Sequence, residues 1–417
     1  MDNIFGTVFI FALMGLIFGV AQFKVFDMFD PIGQALDDME LTDVVYSQLR
    51  EDPLPDSNIV IVNLGLLPRG LIGKQIEIIS KYNPKVIGMD SFFVDEHLDD
   101  PEGDSILSHA IANAKNFVMV TKLLQSDSLY YVAEGEELYD SLERSHPKFR
   151  QNAYEAYANL ETEAASQEDF KACRNMPPAR KMLNGETEVA FAVKMAELYD
   201  KEKAEKYLAR NNDWEVINYQ GNVVDYFGRT DYPNYFYVLD WMDVLDENFV
   251  PGMIKDKIVI FGYHGKNLLD TSWDDKFFTP LNKKFAGKAN PDMYGVAVHA
   301  NIVSNILKED YIETLSEEKG IVLAVLICFL NVMLFSMIYR RLPRWYDGLT
   351  KLVQLLEILI LMFLMVMIFH WFDLKVNLTY TIAAVALAGD SLEVYYGVIK
   401  NLFNKESRRQ LFTIDRK

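Results

Sequence analysis

Asn58-Ile-Val-Ile-Val-Asn63 is a short β-branched run that follows the turn Pro53-Leu54-Pro55. It does not alternate polar with apolar residues, so it reads as a strand buried on both faces, the pattern of a parallel sheet covered by helices. Outward from it, Leu71, Ile72, Gln75, Ile76 and Ile79 recur at helical spacing, and Lys85–Gly88 (KVIG) is a second buried strand ending at Asp90. Asp104 is placed to cap a further helix with Leu107, Ala110, Ile111 and Ala114 on one face, and Phe117–Thr121 follows as a third strand. This β-α-β-α-β alternation implies a parallel sheet with right-handed crossovers.

The stretch from about Gln125 to Asn212 is polar and rich in Glu and Ala, with Tyr154, Tyr157 and Leu160 at helical offsets; it is expected to be a helical insertion. Strand character returns at Ile217–Tyr219 and at Lys257–Gly262 (KIVIFG), and Gly295–Leu307 (GVAVHANIVSNIL) reads as a helix. The expected class is therefore an α/β domain, its sheet parallel or mixed and flanked by helices, interrupted by a helical insertion.

The 417 residues are 50% hydrophobic, but charge is segregated along the chain. Asp2 and Lys24 bracket 21 uncharged residues, and Lys319 and Arg340 bracket 20, each enough to cross about 30 Å of hydrocarbon as a helix. Leu352–Trp371, with Glu357 and His370, and Val376 to about Gly397, with Asp390 and Glu393, read as two more spans. The first lacks a basic n-region and a small-x-small cleavage site, so it is expected to remain as a signal anchor. Four transmembrane helices are thus expected: a signal-anchor span in residues 1–23, then, after the domain 24–319, three spans within 320–399, followed by a basic tail 400–417.

Arg340, Arg341, Arg344 and Lys351 lie between spans two and three, and Lys400, Lys405, Arg408, Arg409, Arg416 and Lys417 follow span four. Basic flanks stay on the cytoplasmic side, so both termini are expected there, with the large domain and a hairpin at Phe372–Asn377 outside. Residues 24–319 carry 30 basic and 52 acidic side chains, net −22. Such a surface repels polyanions and anionic headgroups, which argues against nucleic acid and fits plain solubility or a basic partner. Cys173 and Cys328 fall in a polar and an apolar region, so no disulfide is expected between them.

The order of motifs carries a resemblance. It comprises LDDMELTDVVYSQLR (36–50), NIVIVN, Pro68-Arg69, PKVIGMDSFF (84–93), DSILSHAIANAKNFVMV (104–120), INYQGN from Ile217, KDKIVIFG from Lys255, Asp270, Phe278-Thr279-Pro280, and GVAVHANIVSNIL ahead of three spans. The chain resembles, over nearly its whole length, the CHASE type 2 family of extracellular sensory domains associated with cyclases and histidine kinases. The resemblance implies a sensory domain in the bacterial inner membrane, facing the periplasm. Relatives usually continue into a cytoplasmic output domain, so action through a separate partner is expected.

No catalytic constellation, P-loop spacing or metal-ligand spacing is present; Gly65–Lys74 (GLLPRGLIGK) does not match G-x-x-x-x-G-K-[ST]. No cofactor, metal or enzymatic activity is expected. Asn63, Asp90 and the turn after Gly262 fall at the carboxyl ends of parallel strands, where open α/β sheets bind ligands. Together with Arg69, Asn218 and His299 they are the ligand-binding candidates. The alternatives stay open: Asn63 and Asp90 as acceptors of loop N–H groups, His299 as a packing histidine, and Asn218 as part of a turn.

Glu357, Asp390 and Glu393 are expected near one leaflet, as contacts to a protein partner, as helix-end charges solvated or paired with Lys351, or as a proton path. The expected function is a sensory or interaction subunit that binds a ligand or an envelope protein and acts through a partner in the membrane or cytoplasm. The alternative is a constitutive structural subunit with no ligand. A homo-oligomer is left open.

Overall fold

The computed structural model describes residues 2–21, 40–126, 139–160, 172–283 and 290–400. It divides into two compact units, Met1–Val45 with Glu313–Lys417, and Tyr46–Ile312. The chain opens on α1 (Asp2–Ala21), which belongs to the first of these.

The second unit is built on β1 (Asp56–Asn63), α2 (Arg69–Lys81), β2 (Val86–Asp90), α3 (Pro101–Asn113) and β3 (Phe117–Leu124). The expected alternation is present. Asp104 is not the cap of α3, however. Pro101 fixes φ at the first helical position and starts the helix earlier, so the Asp100 side chain accepts the Gly103 N–H at 2.9 Å. Asp104, one turn in and buried, instead takes the Arg69 guanidinium at 2.7 Å.

The segment expected as a helical insertion is mixed. β4 (Ser141–Glu143) runs antiparallel to β3, and β5 (Tyr154–Tyr157) pairs parallel with it, Val118 against Tyr154 through Thr121 against Tyr157. Tyr154 and Tyr157 thus lie on a strand. Asn152, at φ 62, holds a left-handed conformation that stops helix formation just before them, and the edge of β3 supplies backbone partners. Among its described residues, α-helix appears only at the end, in α4 (Phe191–Tyr199) and α5 (Lys201–Ala209), the latter capped by Asp200.

Next come β6 (Asn222–Val223), β7 (Asn234–Leu239), α6 (Trp241–Leu245), β8 (Ile258–Gly262), a two-stranded hairpin of β9 (Lys276–Phe277) and β10 (Met293–Tyr294), and α7 (Gly295–Lys308). Ile217–Tyr219 does not join the sheet. Two side-chain amides of α7 replace a partner strand there: Asn305 receives the Asn218 N–H at 2.9 Å and donates to its carbonyl at 2.8 Å, and Asn301 does the same with Gln220 N–H and Gly221 carbonyl, both at 3.0 Å.

The sheet order is β6-β7-β1-β8-β2-β3-β4, with β5 also on β3. Every pairing is parallel except β3 with β4, so the sheet is mixed. Val60, Val62, Ile87, Met89, Phe117, Met119, Val259 and Phe261 pack under α2, α3 and α6. The opposite side chains of the same strands, such as Ile61 and Ile260, are equally buried, and α4 and α7 cover that face. Gly88 and Gly262 permit the close approach: a Cβ on Gly262 would lie 2.6 Å from Val296 of α7.

The first unit contains α1, α8 (Glu317–Arg341), α9 (Tyr346–Phe372) and α10 (Thr379–Val394), which continues in a wider turn to Ile399. Three of its helices, Glu317–Arg341, Pro343–Phe372 and Thr379–Ile399, are long and apolar enough to cross a membrane. The described apolar part of α1, Asn3–Leu16, is shorter than a span. Its core joins Ile10, Met14, Val332, Phe335, Ala384 and Leu392. Polar groups serve the close contacts: Gln354 donates to the Val385 and Ala386 carbonyls at 2.7 and 2.9 Å over Gly389, where a Cβ would meet the amide at 3.0 Å. Glu313–Thr314 pairs in parallel with Leu374–Lys375, and Lys375 binds Glu40 at 2.5 Å, so residues 313–319 and 40–45 group with these helices. Cys173 and Cys328 are both buried and form no disulfide.

Candidate functional site

The carboxyl ends of β1, β8 and β2 form one row, with Asn63 opposite Gly262 and Gly262 opposite Asp90. Asn63 is fully buried, and its Oδ1 accepts the N–H of Gly65 at 3.0 Å and of His264 at 2.9 Å while its Nδ2 donates to Asp240 Oδ1 at 3.0 Å. One side chain thereby ties the loops after β1, β7 and β8. The first of those loops turns through Gly65 at φ 54, with Trp241 packed against the place a Cβ would occupy.

Asp90, two strands away at about 10 Å by the spacing of a sheet, is different. Burial first, and then the nearby Asp275 carboxylate, push its carboxyl up to about 7. The unfolded chain releases this proton near pH 4 and the folded chain retains it, so the cost of holding Asp90 grows between about pH 4 and 7 and is constant above. Asp90→Asn removes that cost. It should stabilise the unit at pH 8 by about 2 kcal/mol, a value reduced for the partial exposure of the side chain, and change little at pH 4. Chemical denaturation at the two pH values measures it; equal effects at both would assign the cost to something other than the carboxyl.

The other candidates have internal partners. Arg69 pairs with Asp104 and lies 5.6 and 5.0 Å from the ring centroids of Phe93 and Phe149. Asn218 is held by Asn305, by Arg50 Nη1 at 2.5 Å and by the Asp310 carbonyl at 3.4 Å. His299 is 4% exposed, edge-on to Phe191 at 5.3 Å, hydrogen-bonded to the backbone of Ala158, and kept neutral by burial with its pKa down at about 4.

A cavity of about 310 Å³ lies beside this row. It is lined from β6, β7, the loop after β8, and the β9–β10 hairpin. Its apolar walls are aromatic, with Tyr226, Phe227, Tyr232, Trp273 and Tyr294. None of the five sequence candidates lines it; His264, in the turn after Gly262, does. Burial holds this histidine neutral, with its pKa down at about 4, and its ring lies 4.4 Å from that of Tyr294.

The carboxylates of the cavity are already engaged. Asp225 accepts the N–H groups of Phe227 at 2.9 Å, Thr230 at 2.6 Å and Arg229; burial alone would raise its carboxyl, and these donors outweigh that and hold it below the usual range. Asp270 accepts from Lys266 and Ser272 N–H groups at 2.8 and 2.9 Å, which lower it. Asp292 accepts from Thr279 N–H and Oγ1 at 2.8 and 2.5 Å, yet its burial still lifts it to about 7.

Lys276 is the contrast. Its Nζ lies over the Tyr294 ring, 4.7 Å from the centroid, with no hydrogen bond or ion pair among the described residues. Among the described residues, no three His, Cys, Asp or Glu side chains converge on a metal position. The signal in the sequence was the rule that placed a crevice after β8; nothing local in the 226–232 aromatic loop showed that it returns to the same place.

In the helical unit, Lys351 binds Asp390 at 2.5 Å on an exposed face. Glu357 instead meets Asn331 of α8, and Glu393 is exposed near Tyr346. Asp390 and Glu393 therefore share the neighbourhood of Tyr346, and Glu357 has a different one.

A family model described as CHASE2 domain matches residues 11–335. No curated protein matches the chain, and no solved structure does.

Proposed function

Because the chain belongs to the CHASE2 domain family, a family of sensory extracellular domains, we propose that it is a sensory subunit of the inner membrane, not an enzyme, which takes a small ligand in the aromatic cavity and acts through a separate protein partner. Four spans, cytoplasmic termini and a periplasmic α/β unit belong to this reading, supported by the basic flanks of the spans. The observation that carries it is the position of Tyr294. This residue walls the cavity, ends β10 and is the N-cap of α7. A ligand against it therefore touches the start of a helix that is bonded to residues 218–221 through Asn301 and Asn305 and to Asp56 through Ser304 and Lys308, at 2.8 and 3.1 Å. In sequence, eight residues separate this helix from α8. Glu393 and the basic tail are the contact we assign to the partner.

A constitutive structural subunit is the second reading, favoured by the internal engagement of Asn63, Arg69, Asn218 and His299. The two separate in one experiment. Thr271 is an exposed residue of the cavity wall, and Thr271→Trp fills the opening. Intact wild-type and variant chains are cross-linked in native membranes, purified and compared by quantitative mass spectrometry. A sensor should change its yield of a cytoplasmic or membrane partner several-fold at unchanged own abundance. An identical partner set in both chains favours the structural subunit.

A further inference from the structure

We propose that the cavity selects a small organic anion, a carboxylate carried on a flat apolar body, with Lys276 as the group that holds the charge; this rests on the sensory reading above. Three observations support it. The volume of about 310 Å³ is at the small end of small-molecule pockets, roughly 300–1,000 Å³. The walls are aromatic faces and edges, which pack a planar body.

The third is the balance of free hydrogen-bonding groups. Asp225, Asp270 and Asp292 have both oxygens engaged by fixed donors, so the carboxylates of the lining have little to offer a cation. Donors remain. Lys276 keeps three without an acceptor among the described residues, and Arg229 uses one guanidinium nitrogen on the Leu269 carbonyl at 3.2 Å. Burial disfavours the charged form of Lys276 and lowers its pKa, while Asp270 and Asp292 act the other way. A carboxylate at its Nζ supplies the charge-assisted bond that burial leaves unmade. The acidic surface of the domain opposes an anion at long range, but at physiological salt that field is screened over about 8 Å.

An aromatic cage for an ammonium ligand is the rival, and the same experiment decides between them. Intact chain in lipid nanodiscs is titrated calorimetrically with benzoate, benzyl alcohol and benzylamine, which share a body and differ in charge. Benzoate should bind at least about tenfold tighter than the alcohol, and benzylamine should bind weakest. Lys276→Met, which keeps the hydrocarbon stem over Tyr294, should remove that tenfold advantage; Lys276→Arg should keep most of it. Melting curves verify that both variants are folded.

Preferential binding of benzylamine, or benzoate affinity unchanged in a folded Lys276→Met chain, overturns the anion assignment. If the alcohol or the amine binds at least as tightly as benzoate and Thr271→Trp abolishes it, the cavity stands as a ligand site and only the class of ligand falls. If no probe binds even at high millimolar concentration, both the anion assignment and the sensory cavity fall.

Discussion

Asp104→Ala should cost the α/β unit about 3 to 5 kcal/mol, toward the lower end because Arg69 keeps 11% of its side-chain surface in solvent. The carboxylate is 1% exposed and does two things at once, binding Arg69 at 2.7 Å through Oδ1 and the His97 N–H at 2.7 Å through Oδ2. Truncation leaves a guanidinium between Phe93 and Phe149 with its charge uncompensated, and a backbone donor without its acceptor.

Replacing both partners distinguishes a lost attraction from an orphaned charge. Arg69→Met with Asp104→Leu should recover most of the loss, because apolar residues of similar volume remove the desolvation cost of both ions. Acid has the same effect as truncation. Burial by itself would raise the Asp104 carboxyl, but Arg69 and the His97 N–H outweigh it and hold the carboxyl below the usual range. The unfolded chain therefore takes up the proton first as pH falls. The contribution is complete above about pH 4 and disappears as pH drops through the folded value. Urea melts of wild type and variant at pH 7 and pH 3 measure both effects, and a gap of the same size at both would show that the charge of Asp104 is not what matters.

Asn305→Leu should cost about 2 to 4 kcal/mol, since it strands the buried N–H and carbonyl of Asn218 together, at about 1 to 3 kcal/mol for each unsatisfied group. The site is 5% exposed, so water does not readily replace the amide. Asn305→Gln keeps the chemistry and moves the amide by one methylene, and should lose less. Hydrogen exchange supplies the local readout: the Asn218 amide should lose protection in the leucine variant while the Val60 and Ile260 amides, inside the sheet, keep most of theirs. Unchanged protection at Asn218 would mean that the amide pairing does not hold the 217–221 segment.

The elements that the sequence made legible are those whose identity is local. NIVIVN and KIVIFG have no alternation because both faces of β1 and β8 are covered, and Leu71 to Ile79 repeats every three to four residues because one face of α2 packs on the sheet. The long apolar stretches at Glu317–Arg341 and beyond declare themselves by length alone. A strand rule likewise led from Asn63 and Asp90 to the turn after Gly262, which does border the cavity through His264.

What only the tertiary structure decided is order and partnership. β8 lies between β1 and β2, two strands that are consecutive in sequence, and β7 lies on the other side of β1. No local pattern encodes that, because a buried strand offers identical backbone groups to any parallel neighbour and the choice is made by what covers its faces. The same applies to Tyr154–Tyr157, whose spacing suits a helix but whose backbone groups pair with β3, and to Ile217–Tyr219, strand-like in composition but paired with the amides of α7. The cavity is the extreme case. Tyr226, His264, Trp273, Lys276 and Tyr294 come from segments up to 68 residues apart. Only closure of the chain around β6, β7 and β8 decided that Lys276 would face it without a hydrogen-bond acceptor among the described residues while the lining carboxylates Asp225, Asp270 and Asp292 had already found an N–H.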